Sequence, residues 1–291
     1  MNHTLPYAAN CSLLFTEVPL LERPAAAAAA GFGAIEFWWP WPDQPVPEDR
    51  AVEGFISAIR SAGVQLVGLN FFAGELTGPD CGVLSIPARR SEFADNIDVT
   101  VGIGDRLGVR AFNALFGNRV DASTPAEQDE LGVEQLAAAA HAADRIGATV
   151  LLEPVSGPKP YPLRTAADVV AILDRVRAVG QGNGGPRNVG LLCDLFHLAN
   201  NGDDLDAAIA AYADQIAHVQ IADHPGRGEP GTGTLDLGRY LSLLEHHGYS
   251  GYVGLEYNPT GPTTDSLDWL PRERRGTGPH TSSPDRTGAS A

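Results

Sequence analysis

Eight short runs of β-branched and aliphatic residues recur along the chain, and amphipathic stretches with helical spacing lie between them. The runs are Pro6–Phe15, Gly33–Phe37, Gln65–Asn70, Arg110–Phe116, Ala148–Glu153, Asn188–Asp194, Ile216–Ile221 and Gly251–Glu256. Alternation of this kind requires crossover connections and therefore a parallel sheet. A count that closes at eight in roughly 250 residues predicts a single (β/α)8 barrel. The competing doubly wound sheet would want a glycine-rich phosphate turn after its first strand, and Asn10-Cys-Ser-Leu-Leu-Phe15 contains no glycine.

The intervening helices carry start and stop signals. Thr16-Glu-Val-Pro19 supplies a cap candidate and an early proline ahead of an alanine-rich stretch that runs to Gly31. Further helices are expected at Glu48–Ala62, ended by Gly63, and at Arg89–Leu107, ended by Gly108. Thr124-Pro-Ala-Glu127 reads as a capping box. Thr165–Val179, Asp203–Ala213 and Leu235–His247 complete the set, with a glycine-rich turn at Gly180–Pro186. One barrel domain over 1–270 is expected, followed by a polar tail, 271–291, with too few apolar residues to bury and hence disordered.

Charge and cysteine usage narrow the function. A net charge of -16 leaves no broad basic face for nucleic acid. No apolar run approaches the roughly 18 residues of a membrane span, and Met-Asn-His-Thr-Leu-Pro lacks the regions of a signal peptide. Cys11, Cys81 and Cys193 are too few and too scattered for a disulfide framework, so a reducing cytoplasmic setting is expected. The chain's one lysine, Lys159, stands between prolines, a poor setting for imine chemistry.

Function is concentrated where barrel strands end. Runs five to eight close on Glu153, Asp194, Gln220 and Glu256, so adjacent staves bring three carboxylates and an amide to one rim. Clustered carboxylates repel unless protons or a cation compensate. An all-oxygen set suits Mg²⁺ or Mn²⁺ better than Zn²⁺ or Cu²⁺. The corresponding chemistry is proton transfer beside a carbonyl: a divalent ion stabilises an enediolate while one of Glu153 and Glu256 removes the proton and the other returns one. Each of the four has a plainer reading as a cap or salt-bridge partner.

Neighbouring residues fit a substrate pocket. His197, three residues after Asp194, could offer its imidazole to a substrate oxygen, or be a packed histidine. Arg227, in a glycine- and proline-rich loop, could clamp a carboxylate, with Glu229 orienting it, or be a surface arginine. Trp38, Trp39 and Trp41, with Phe71 and Phe72, could wall off water or pack helices. In a regular strand His218 shares the face of Gln220.

Tyr7-Ala-Ala-Asn-Cys-Ser-Leu-Leu-Phe-Thr-Glu17, Gly31-Phe-Gly-Ala-Ile-Glu-Phe37, Leu152-Glu-Pro154, Asp194-Leu-Phe-His197, His218-Val-Gln-Ile-Ala-Asp223, Pro225–Gly233 and Gly251–Tyr257 resemble, in order and spacing, the hydroxypyruvate isomerase family. The resemblance covers about residues 5 to 270 and implies a xylose-isomerase-like TIM barrel. It implies proton-transferring glutamates at Glu153 and Glu256, and a divalent ion held by those two with Asp194 and Gln220. The implied substrate is a small hydroxy-oxo acid, hydroxypyruvate or tartronate semialdehyde, whose carboxylate gives Arg227 a task. Related 2-oxo-tetronate isomerases share most of these motifs, whereas ketose 3-epimerases place a histidine at the position of Gln220. The chain departs from the family in Val155–Leu163 and at Gly228, where a histidine is common, both places where substrate would be touched. A homo-oligomer is compatible with the sequence. A phosphodiesterase of the endonuclease IV type would need several histidine ligands and a basic surface, and eight scattered histidines with this charge disfavour it. A non-catalytic sugar-acid binding barrel remains the alternative outside enzymology.

Overall fold

The computed structural model describes residues 3–179 and 184–276. Eight parallel strands close into a barrel in sequence order, β1 pairing with β8. The chain runs β1 (Tyr7–Asn10), α1 (Arg23–Ala29), β2 (Ala34–Phe37), α2 (Asp49–Ala62), β3 (Gln65–Asn70), α3 (Arg90–Leu107), β4 (Ala111–Asn113), α4 (Pro125–Asp144) and β5 (Thr149–Leu152). It continues through α5 (Ala166–Ala178), β6 (Val189–Asp194), α6 (Leu195–Asn201), α7 (Leu205–Tyr212), β7 (Ile216–Ile221), α8 (Leu237–His246) and β8 (Val253–Leu255). Strands covered on both faces are near-continuously apolar in such an arrangement, and β1, β2 and β6 are buried at every position. Helix apolar faces pack onto them: Phe55, Ile56 and Ile59 of α2 and Val169, Ile172 and Leu173 of α5 join one continuous core.

The expected α4 capping box is present, Glu127 N donating to Thr124 Oγ1 at 3.2 Å while Thr124 N donates to Glu127 Oε2 at 2.8 Å. Thr165 and Asp168 form a second box on α5. The structure departs from the sequence reading at three points. Thr16 caps nothing: α1 starts at Arg23, and the carboxylate of Glu17 instead accepts from Thr263 N at 2.7 Å and Thr263 Oγ1 at 3.0 Å. The expected Asp203–Ala213 helix is present as α7, and an unforeseen short helix, α6, precedes it because Asp194 caps that helix. After β8 the chain forms 3-10 turns, Asp265–Leu267 and Arg272–Arg274, in place of an eighth crossover helix.

Residues 271–276, expected as the start of the tail, are among the described residues and are hydrogen-bonded to the barrel. Arg275 donates to the carbonyls of Ala30, Leu267 and Leu270, and Arg274 donates to His3 O, so residues 271–276 close the base of the barrel. The remainder of the expected tail, 277–291, and residues 180–183 of the glycine-rich turn lie outside the described residues. Among the described residues no helix is long and apolar enough to cross a membrane.

Candidate active site

Asp194 ends β6 and pairs in register with Gln220 of β7, which in turn pairs with Gly254 of β8. Glu153 and Glu256 are the first residues beyond β5 and β8. All four side chains are buried, none more than 5 % exposed. Parallel pairing of consecutive staves therefore sets the four oxygen-bearing groups around one rim.

Three of the four carry a buried oxygen that has no hydrogen-bond partner among the described residues: Glu153 Oε2, Asp194 Oδ2 and Gln220 Oε1. Their other polar atoms are engaged. Asp194 Oδ1 accepts from Phe196 N at 2.8 Å and His197 N at 3.1 Å, and Gln220 Nε2 donates to Glu36 Oε1 at 2.7 Å. Glu256 Oε1 accepts from Trp38 Nε1 at 2.5 Å and Asn10 Nδ2 at 3.3 Å, and its Oε2 accepts from Arg227 Nη2 at 2.7 Å. Buried acceptors left unsatisfied cost free energy, and three at neighbouring strand ends could serve as donors to a hard cation. Asp194, His197 and Glu256 bring candidate ligand atoms within 4.8 Å of one another.

Electrostatics agree. Burial, then the charges of Glu256 and Asp194, hold the Glu153 carboxyl well above the usual carboxylate range. Burial lifts Glu256 to about 7 against the pull of Arg227, and burial raises Asp194 although Arg227 and the backbone N–H groups of α6 oppose it. One guanidinium thus stands against three carboxyls. Burial alone would depress Arg227, yet Glu256, Asp194 and Glu153 raise it above its ordinary value.

Arg227 is presented by the loop that Asp223 organises, through acceptance from His224 N, Leu235 N and Gly231 N. It sits at φ 59°, unusual for a non-glycine residue, with its guanidinium 5.5 Å from the Phe196 ring centre. His197 Nδ1 accepts from Ser156 N at 3.0 Å and lies 2.8 Å from Ser156 Oγ. A backbone N–H can only donate, so the neutral ring carries its proton on Nε2, 3.8 Å from Asp194 Oδ2. Burial, reinforced by Arg227, lowers His197 to about 3. With Nδ1 taken by Ser156, His197 offers the cavity a neutral Nε2–H.

Glu153, Glu256, His197 and Arg227 line a cavity of about 150 Å³, together with Trp38, Cys81, Ser156 and Lys159. That is well under the roughly 300–1,000 Å³ of pockets for drug-sized ligands. Glu229 is placed elsewhere: its carboxylate accepts from Thr260 N at 3.1 Å and from Thr260 Oγ1, and the guanidinium of Arg227 pairs with Glu256 instead. Of the aromatic group Trp38 faces the cavity, whereas Trp39 packs edge-on against Trp41 and Trp41 edge-on against Phe55, and Phe71 packs on Phe93 and Phe112.

Sequence reasoning missed Glu36, Ser156 and the placement of Lys159. Lys159 Nζ donates to Leu76 O at 3.2 Å and Asp80 O at 2.5 Å, joining the β5–α5 loop to the β3–α3 loop at the cavity wall. Pro154 and the prolines around Lys159 were the available signal of a stiff loop. Glu36 lies one residue before the end of β2, inside a motif read only for its resemblance.

Residues 24–273 match the family described as xylose isomerase-like TIM barrels. A protein of Streptomyces coelicolor named "Putative hydroxypyruvate isomerase" is 55 % identical over 91 % of this chain and 95 % of its own length. The 2-oxo-tetronate isomerase of Haemophilus influenzae is 31 % identical over 91 % of this chain and 97 % of its own. Among solved structures, one described as an AP endonuclease, family 2, from Brucella melitensis superposes with a TM-score of 0.80 at 31 % identity, covering 91 % of this chain and 97 % of that one.

Proposed function

This chain is an isomerase belonging to the xylose isomerase-like TIM-barrel family, and we propose that it interconverts hydroxypyruvate and tartronate semialdehyde by proton transfer between Glu153 and Glu256. The observation that carries this reading is the set of buried oxygens on Glu153, Asp194 and Gln220, at consecutive strand ends, that have no partner among the described residues. Glu153, Asp194, Gln220 and Glu256 would hold a divalent ion, Mg²⁺ or Mn²⁺, by oxygen alone. Such an ion would polarise the substrate carbonyl and hydroxyl oxygens and so ease enediolate formation.

The chain's own groups supply the rest. The net change moves one carbon-bound hydrogen from C3 of hydroxypyruvate to C2 and one oxygen-bound proton from O3 to O2. Glu153, whose Oε2 is unpartnered, accepts a proton from carbon in one direction, and Glu256 delivers one to the neighbouring carbon. A Glu256 carboxyl raised to about 7 is suited to both giving and taking a proton near neutrality. His197 donates Nε2–H to a substrate oxygen. Arg227, now on Glu256, is within the same cavity wall and binds the substrate carboxylate. Trp38 covers the cavity and limits water access.

A cavity of about 150 Å³ supports a substrate of three or four carbons. The resemblance to the 2-oxo-tetronate isomerase supports the four-carbon acid as the second reading. Gln220, where ketose 3-epimerases place histidine, argues against epimerisation, and proton-carrying glutamates argue against a pure binding barrel. An interconversion assay with C3 and C4 oxo acids, each with Mn²⁺, Mg²⁺ or EDTA, tests the assignment. Metal-dependent turnover of hydroxypyruvate above that of the C4 acid is expected. Turnover of neither acid with either metal would refute it.

A further inference from the structure

Three buried donors converge on a carboxylate that the proposed reaction does not use. Glu36, 3 % exposed, accepts from Gln220 Nε2 at 2.7 Å and Asn10 Nδ2 at 3.0 Å on Oε1, while His218 Nε2 stands 2.7 Å from Oε2. The backbone makes room for it. The β2–β3 register skips Val67 and sets Gly68 opposite Glu36, and a Cβ on Gly254 of β8 would lie 2.4 Å from Glu36 Oε1. A methyl group on that strand would expel the carboxylate.

An ionised carboxylate only accepts hydrogen bonds. It can therefore hold the Gln220 amide by its nitrogen alone, since the reverse orientation would set two acceptors against each other. The amide oxygen, which is buried and unpartnered, is the end left for the site. Asn10 extends the same control, its Nδ2 shared between Glu36 Oε1 and, at 3.3 Å, Glu256 Oε1. We propose that Glu36 is a positioning residue that locks Gln220 by its nitrogen, so that a neutral side chain presents oxygen to the divalent ion. His218 and the bare backbone of Gly68 and Gly254 hold Glu36 in turn. The inference rests on the metal reading above.

Mn²⁺ titration by calorimetry and by electron paramagnetic resonance tests it on the full chain, with thermal unfolding as the check on folding. Glu36→Gln can present either amide end to Gln220, so Mn²⁺ affinity should fall by about 10- to 100-fold. The double variant Glu36→Gln/Gln220→Glu exchanges donor and acceptor across the contact and returns an oxygen to the site, so affinity should recover to the wild-type level or beyond. A single variant within about twofold of wild type, or a double variant as weak as the single, would overturn the proposal. If the single variant does not fold, the double decides: wild-type affinity supports the lock, and a loss of about tenfold or more overturns it. A wild-type protein that takes up no Mn²⁺ overturns the metal reading and this inference with it.

Discussion

The two halves of the barrel end their strands in different chemistry. In the first half β1, β3 and β4 end on amides, Asn10, Asn70 and Asn113. In the second half β5, β6 and β8 hand over to Glu153, Asp194 and Glu256, and β7 carries Gln220 as its only neutral counterpart. Glu36 is the one carboxylate of the first-half set, and three donors surround it. A ring of amides is indifferent to pH, whereas a ring of buried carboxyls needs protons or a cation. The contrast teaches that the second half is built for changing its charge and the first for holding it in place.

The largest way to break this contrast is to neutralise the second half. Glu153→Gln and Glu256→Gln should each lower kcat by about 10²- to 10⁴-fold, the usual range for a lost acid or base, with circular dichroism and melting behaviour retained. Steady-state isomerisation checks it, and near-normal turnover in either would defeat the two-glutamate mechanism.

Arg227→Met should come next. Loss of a charge-assisted clamp is expected to raise KM for the oxo acid by about 10- to 100-fold. Because Arg227 pulls the Glu256 pKa down from where burial places it, its removal should also shift to higher pH the alkaline limb of the kcat/KM profile for hydroxypyruvate, the direction in which Glu256 delivers the proton. A limb that stays or moves down would contradict the assigned pairing.

A smaller effect follows from proton linkage. The Glu256 carboxyl lies at about 7 when folded against an ordinary 4.5, and Glu153 is raised as well. Between those pH values the folded state holds more protons than the unfolded chain, so stability falls as pH rises through the window and levels off above it. Metal-free protein should lose on the order of 5 °C in Tm from pH 4.5 to 7.5. Mn²⁺ should restore it at the upper end, where the carboxylates are free to bind. Scanning calorimetry with and without EDTA reads both. Glu229→Gln should do least, changing kcat/KM by less than about twofold, because its carboxylate holds Thr260 rather than Arg227.

Much of this was legible in the one-dimensional pattern. Eight apolar runs with helices between them admit few closures, and a side chain at a strand end has its position set by strand order alone, which is why Glu153, Asp194, Gln220 and Glu256 could be named together. Features that depend on contacts between distant segments were not legible. Glu229 follows Arg227 by two residues, yet loop geometry sends it to Thr260 and sends Arg227 to Glu256. Glu36 gains its meaning from Gln220 and Asn10, 184 and 26 residues away, and Glu17 from Thr263, 246 residues away. Strand one was read to Phe15, whereas the chain turns at Asn10, whose carbonyl accepts from Leu13 N and Leu14 N.

Proton transfer between Glu153 and Glu256 is tested most directly by the fate of the migrating hydrogen. Hydroxypyruvate incubated briefly with the protein and Mn²⁺ in D₂O should yield tartronate semialdehyde carrying solvent deuterium at C2, read by ¹H nuclear magnetic resonance and mass spectrometry. Product that retains the substrate's own hydrogen at C2 would mean direct transfer between the two carbons and would contradict the account.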